Sequence, residues 1–123
     1  MGGLFLDGSI HLERCTFYAN DSDEGSAVGV GASAELTMDH SILAFGSGSP
    51  PVGCGSGGAP VMAACCDLYG NQGGDWVGCV EEFAGQFGNF SADPLFCEPL
   101  EGNLYLHEDS PCANAPECGL VGA

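Results

Sequence analysis

Two acidic residues, Glu13 and Asp39, are the first pair in this 123-residue sequence whose types and spacing suit chemistry. If each sits at the same place on one of two stacked strands, their carboxyl groups lie roughly 4.8 Å apart on an outer face. A glycoside hydrolase needs two carboxyl groups about 5–9.5 Å apart across the sugar. No aromatic platform flanks the pair, so a solvated acidic face is the expectation. The run Asn20-Asp21-Ser22-Asp23-Glu24-Gly25 gathers oxygen donors in a loop, and Asp21, Asp23 and Glu24 are candidate Ca²⁺ ligands there. The loop departs from an EF-hand, because Gly31 and Ala32 stand near where a closing glutamate belongs. A solvated acidic loop is again the plainer reading. Arg14 is the only Lys or Arg, hence the only strongly basic candidate to abstract a proton in a polysaccharide lyase. The equivalent positions further on hold His40 and Cys65, and lyase activity is not expected. His11, His40 and His107 occupy unrelated positions, show no nucleophile–base pair and read as surface histidines. Trp76, with Tyr69 and Phe83 nearby, suits either a sugar-stacking patch or a cap over an apolar end; the cap is expected. No catalytic or cofactor-binding residue is assigned.

Charge and cysteine content narrow the setting. Seventeen acidic residues against one basic give a net charge of −16. Such a field repels nucleic acid, anionic lipid and polyanionic substrates such as pectate, unless a metal ion bridges them. No stretch is long and apolar enough to span a membrane. Eight cysteines are far above cytosolic usage, and their spacing offers no Cys-x-x-Cys pairs for zinc, so disulfides are expected. Candidate members are Cys54, Cys65, Cys66, Cys79, Cys97, Cys112 and Cys118. Cys54–Cys65 and Cys66–Cys79 are plausible bridges, with one more among Cys97, Cys112 and Cys118, leaving a thiol for Cys15 or a partner. Met1 begins no recognisable export signal, which suggests a fragment of a longer exported protein. Asn20-Asp21-Ser22 and Asn89-Phe90-Ser91 match the N-glycosylation pattern.

The elements that would position these residues come from an internal repeat. Cys15-Thr16-Phe17-Tyr18-Ala19-Asn20, Ser41-Ile42-Leu43-Ala44-Phe45-Gly46 and Cys66-Asp67-Leu68-Tyr69-Gly70-Asn71 align at offsets of 26 and 25 residues. Alternating apolar pairs precede each block: Ile10 and Leu12, Leu36 and Met38, Val61 and Ala63. Earlier still come Leu4 and Leu6, Val28 and Val30, Val52 and Cys54. Each repeat thus carries three short strands, and 21 glycines and seven prolines disfavour long helices. Short strands repeated in register bury their faces only by stacking. The expected fold is therefore all-β, a right-handed parallel β-helix (solenoid) of three to four coils. Its coils run over 3–27, 28–51 and 52–83, with an irregular closing coil over 84–123. Leu4/Val28/Val52, Leu12/Met38/Ala63 and Phe17/Leu43/Leu68 should form inward ladders. Cys15 and Cys66 fall two coils apart in one inward slot, roughly 9–10 Å, too far to pair. Asn20 and Asn71 are expected at left-handed turns, with Gly46 in the same slot.

The C-terminal half carries a resemblance. Gly88-Asn89-Phe90-Ser91-Ala92-Asp93-Pro94-Leu95-Phe96, Gly102-Asn103-Leu104-Tyr105-Leu106, Ser110-Pro111-Cys112 and Gly119-Leu120-Val121-Gly122-Ala123 succeed one another. That succession resembles the closing coil of secreted bacterial right-handed β-helix proteins of the pectin-lyase-like superfamily. Cys65-Cys66-Asp67-Leu68-Tyr69-Gly70-Asn71 followed by Gly74-Asp75-Trp76 is similar to a disulfide-bearing subgroup. Asn103 and Asp109 depart from the pattern, where Asp and Gly are usual. The resemblance implies a fold and an extracellular setting but no single activity, since the superfamily holds lyases, hydrolases and adhesins. The functional expectation is a non-catalytic structural or adhesive, ligand-binding module of a secreted or cell-surface protein. No partner is assigned; carbohydrate or a cell-surface component is the candidate, and end-to-end stacking on further coils is the candidate assembly. The rival is a carbohydrate-active enzyme fragment whose active-site coils lie elsewhere. Ice binding through Thr16, Thr37 and Ser41 is discounted for want of threonines.

Overall fold

The computed structural model describes residues 4–6, 8–21, 27–30, 35–54, 61–101 and 103–122, and the described residues are all-β apart from two short 3-10 segments. Each repeat contributes three strands: β1 (Leu4–Leu6), β2 (Ser9–Glu13) and β3 (Thr16–Tyr18); β4 (Val28–Val30), β5 (Glu35–Asp39) and β6 (Ile42–Ala44); β7 (Val52–Cys54), β8 (Val61–Ala64) and β9 (Asp67–Tyr69). They form three three-stranded sheets, ordered β1–β4–β7, β2–β5–β8 and β3–β6–β9, and every pairing in them is parallel. The registers join Leu4 to Val28 to Val52, Leu12 to Met38 to Ala63, and Phe17 to Leu43 to Leu68, as the repeat leads one to expect.

Period-two alternation explains the core. On β5, Leu36 and Met38 are buried while Glu35 and Thr37 face solvent. Leu12, Val28, Val30, Leu43, Val52, Ala63, Cys66 and Leu68 complete one apolar cluster between the sheets. A 3-10 segment, Gly78–Phe83, closes one end by burying Val80 and Phe83 in that cluster, and the Cys54–Cys79 disulfide ties it to β7. Trp76 packs partly buried against the same cluster and donates from Nε1 to the Phe90 carbonyl at 3.1 Å, which makes it a cap, as expected.

The turns between second and third strands repeat in geometry although not in sequence. Arg14, His40 and Cys65 all have left-handed backbones (φ 53°, 49° and 54°), and Gly88 (φ 79°) follows in the same ladder. Ala19, Phe45 and Gly70 do the same after the third strands (φ 55°, 59° and 69°). The left-handed residue is thus the one before Asn20, Gly46 and Asn71, which corrects the expectation for the asparagines. Asn71 serves instead as a stacked bracket: its Oδ1 accepts from Gly46 N at 2.9 Å and its Nδ2 donates to the Leu43 carbonyl at 3.0 Å. At Gly70 a side chain would also strike the Phe45 ring, 2.7 Å from an added Cβ.

The inward slot just after the first of these turns takes small polar side chains for a reason. Cys15, Ser41 and Cys66 donate to the carbonyls of Glu13, Asp39 and Ala64, each two residues earlier, at 3.5, 2.9 and 3.3 Å. Asn89 fills the slot beyond, donating to Ala63 and accepting from Cys66 N. Ser41 is therefore fully buried and cannot belong to an outward ice-binding row, and Asn89, 5% exposed, is no glycosylation acceptor in the folded chain.

From Phe96 onward the chain leaves the repeat. In the segment expected to form an irregular closing coil over 84–123, Phe90 makes a parallel bridge to Asp67, and β10 (Phe96–Glu98) and β11 (Asn103–Leu106) pair antiparallel with each other. This segment lies over the outer face of β3–β6–β9, where Ile42 and Ala44 join Cys112, Ala115 and Val121 in a second apolar cluster. That cover explains why all three residues of β6 are buried. The second disulfide, Cys65–Cys118, pins the cover to the left-handed turn.

These two bridges correct the expected pairings Cys54–Cys65 and Cys66–Cys79. Cys65 turns outward and Cys66 inward, so neighbours in sequence serve opposite faces, and Cys54 meets Cys79 one repeat further on, with Cα atoms 6.2 Å apart. Cys118 bridges back to Cys65, leaving Cys97 and Cys112 as thiols along with Cys15 and Cys66.

Beneath the cover Asp67 is fully buried, accepting from Ala92 N at 3.0 Å and from the Cys112 thiol at 3.0 Å. Burial pushes its carboxyl up to about 6 from an ordinary 3.8, against the lowering effect of those two hydrogen bonds. Because the folded-state value is the higher one, its contribution to stability is complete below 3.8 and is lost as pH rises through about 6. Asp67→Asn keeps an acceptor for Ala92 N and removes the ionisation. We expect the variant to gain roughly 2–3 kcal/mol on the wild type between pH 4 and pH 7.5. Paired urea melts at the two pH values measure this; a constant difference would refute it.

Candidate functional site

The outer face of β2–β5 gathers the polar side chains. Parallel register sets Ser9 beside Glu35, His11 beside Thr37 and Glu13 beside Asp39, and alternation turns all six outward. Glu13 and Asp39 are thus direct neighbours across the sheet, and His11 lies diagonal to Asp39, within reach of a long side chain. His11 Nε2 meets Asp39 Oδ2 at 2.6 Å. His40, the left-handed residue after β5, folds its ring back so that Nδ1 meets Asp39 Oδ1 at 3.0 Å. One donor atom each from His11, Glu13 and Asp39 lies within 4.8 Å of the others.

Asp39 therefore sits between two imidazoles, each giving an N–H to a different carboxylate oxygen. Slight burial works to raise its carboxyl, but the hydrogen bonds from His40 and His11 and their positive charge prevail and hold it below the ordinary value. Asp39 is consequently an anion near neutral pH. It lacks the raised pKa that an apolar pocket gives a glycosidase proton donor.

His11 and His40 occupy different slots of the repeat, so spacing alone does not join them. The diagonal relation across parallel strands, two residues off register, is the signal that joins His11 to Asp39. His107 lies outside the cluster, beside Asp109 at 3.7 Å. Arg14, beside the cluster in sequence, is engaged elsewhere: its Nη1 donates to the Leu120 carbonyl at 3.1 Å and so helps hold the C-terminal cover. Of the candidate calcium ligands, Asp21 is exposed and bridges to Ser47, whereas Asp23 and Glu24 lie outside the described residues.

A second feature is a shallow depression of about 260 Å³ lined by Tyr18, Phe45, Asp93, Leu95, Phe96 and Pro99. Its aromatic rings meet edge to face, Tyr18 with Phe45 at 5.8 Å and with Phe96 at 5.6 Å, so they pack on one another and do not present one flat platform for a sugar. No helix among the described residues is long and apolar enough to cross a membrane. No family model, curated protein or solved structure matches this chain.

Proposed function

We propose that this chain is a stretch of right-handed parallel β-helix of the pectin-lyase-like kind, serving as a non-catalytic structural or ligand-binding module of a secreted or cell-surface protein. One observation supports this most strongly: three parallel sheets each take one strand from every repeat, in unbroken register. Such stacking yields an extended, rigid outer face and invites end-to-end addition of further repeats. Two disulfides suit an oxidising compartment. The net charge of −16 favours neutral or cationic partners over polyanions.

The rival reading, a fragment of a carbohydrate-active enzyme, would rest on Glu13 and Asp39. Both oxygens of Asp39 are held by histidines and the anion is stabilised, which disfavours Asp39 as the proton donor to a glycosidic bond. The pure chain should therefore leave pectate, alginate and neutral glucans intact. Release of reducing sugar or unsaturated uronate, abolished by Asp39→Asn, would overturn the module reading in favour of the enzyme.

A further inference from the structure

We propose that His11, Glu13 and Asp39 bind one divalent transition-metal ion of the zinc class on the outer face of β2–β5. The donor set is one imidazole nitrogen and two carboxylates, which suits zinc and its neighbours, and solvent supplies the fourth position. Two of the three donors are already brought together: His11 Nε2 and Asp39 Oδ2 share a proton at 2.6 Å. A metal ion takes that proton's place. The proton moves to Nδ1 of a neutral His11 ring, or to solvent from a charged one, and Nε2 gives its lone pair to the metal.

Two bonds of about 2.0–2.1 Å at a tetrahedral angle need the donors roughly 3.4 Å apart, so a small opening suffices. The exposed His11 ring (53%) makes that movement easily, while Asp39, partly buried at 26%, stays in place. His40 acts as the positioning residue, holding the other Asp39 oxygen at 3.0 Å so that Oδ2 stays aimed at His11. The net charge of −16 draws cations to this face. This inference is independent of the module reading, and either can fail alone.

The test uses the full, oxidised chain carrying Cys97→Ser, because Cys97 is an exposed thiol that would compete for soft metals. Co²⁺ is titrated by visible absorption, with Zn²⁺ and Ca²⁺ as competitors. We expect one saturable equivalent, displaced by Zn²⁺ and not by equimolar Ca²⁺. His11→Gln keeps a hydrogen bond to Asp39 yet loses the nitrogen ligand, and should weaken binding at least tenfold. His40→Phe should weaken it about 10–100-fold with unchanged stoichiometry. Unchanged affinity in His11→Gln, equal displacement by Ca²⁺, a thiolate charge-transfer band from Cys15, or no saturable binding would each overturn the proposal.

Discussion

Replacing Cys65 and Cys118 together by serine is expected to cost about 4 kcal/mol and to release the C-terminal cover. The bridge spans 53 residues, and closing a loop of that length removes about this much denatured-state entropy in the chain-entropy model. Besides the bridge, the cover is held by the buried cluster of Ile42 and Ala44 with Cys112, Ala115 and Val121, and by the Cys112 thiol on Asp67. Val121 bonds to the Cys112 carbonyl, Gly122 N donates to His40, and Arg14 reaches Leu120. Gly88 packs against the bridge itself, leaving an added Cβ only 2.7 Å from the Cys118 sulfur. The double variant should lose amide protection over residues 112–122 first, while β4, β5 and β6 keep theirs. Exposure of Ile42 and Ala44 should then raise binding of an apolar dye. Equal protection of the C-terminal residues with and without the bridge would show that packing alone holds them. The Cys54–Cys79 bridge, with a separation of 25, should contribute about 3.5 kcal/mol by the same reasoning, and its loss should loosen the end closed by Val80 and Phe83.

Leu43→Ala is expected to destabilise the chain by about 2–5 kcal/mol. Leu43 is fully buried at the middle of the central strand β6, paired in register with Phe17 on one side and Leu68 on the other. Its neighbours Ile42 and Ala44 are fixed beneath the C-terminal cover, so β6 cannot shift to fill the space left behind. The same truncation at Leu100, 94% exposed, should change stability by less than about 0.5 kcal/mol. Urea melts compare the two. A Leu43→Ala cost as small as that at Leu100 would mean that the inward ladder does not bear the stability of the fold.

The sequence made the repeated part legible because stacking imposes a constraint that recurs: every 24 to 26 residues an apolar side chain must meet its equivalent in the adjacent strand. Alternation alone then separates Leu36 and Met38 from Glu35 and Thr37. The turns were harder. Arg14, Ala19, His40, Phe45 and Cys65 adopt left-handed backbones that their side chains do not favour, and hydrogen bonds from their N–H groups to carbonyls of the next repeat help hold them there. Local propensity pointed to Asn20 and Asn71, where a side-chain amide is present, and missed by one residue. The cover over β3–β6–β9 left no periodic trace, because it is made once. Its partners are brought together by contacts across 50 or more residues, as Cys65 and Cys118 are, so nearest-neighbour pairing of cysteines misassigned the bridges. The His11–Asp39–His40 cluster escaped for a related reason: slot-by-slot comparison finds residues directly opposite one another and overlooks diagonal ones.

Proton NMR distances across β2, β5 and β8 test the stacked parallel arrangement most directly. Parallel pairing in the stated register predicts side-chain contacts from Met38 to both Leu12 and Ala63, and from Leu43 to both Phe17 and Leu68, with no close Hα–Hα contacts between residues 10–12 and 36–38. Strong Hα–Hα cross-peaks between those two strands would mean antiparallel pairing, and would contradict the fold and everything placed on its outer face.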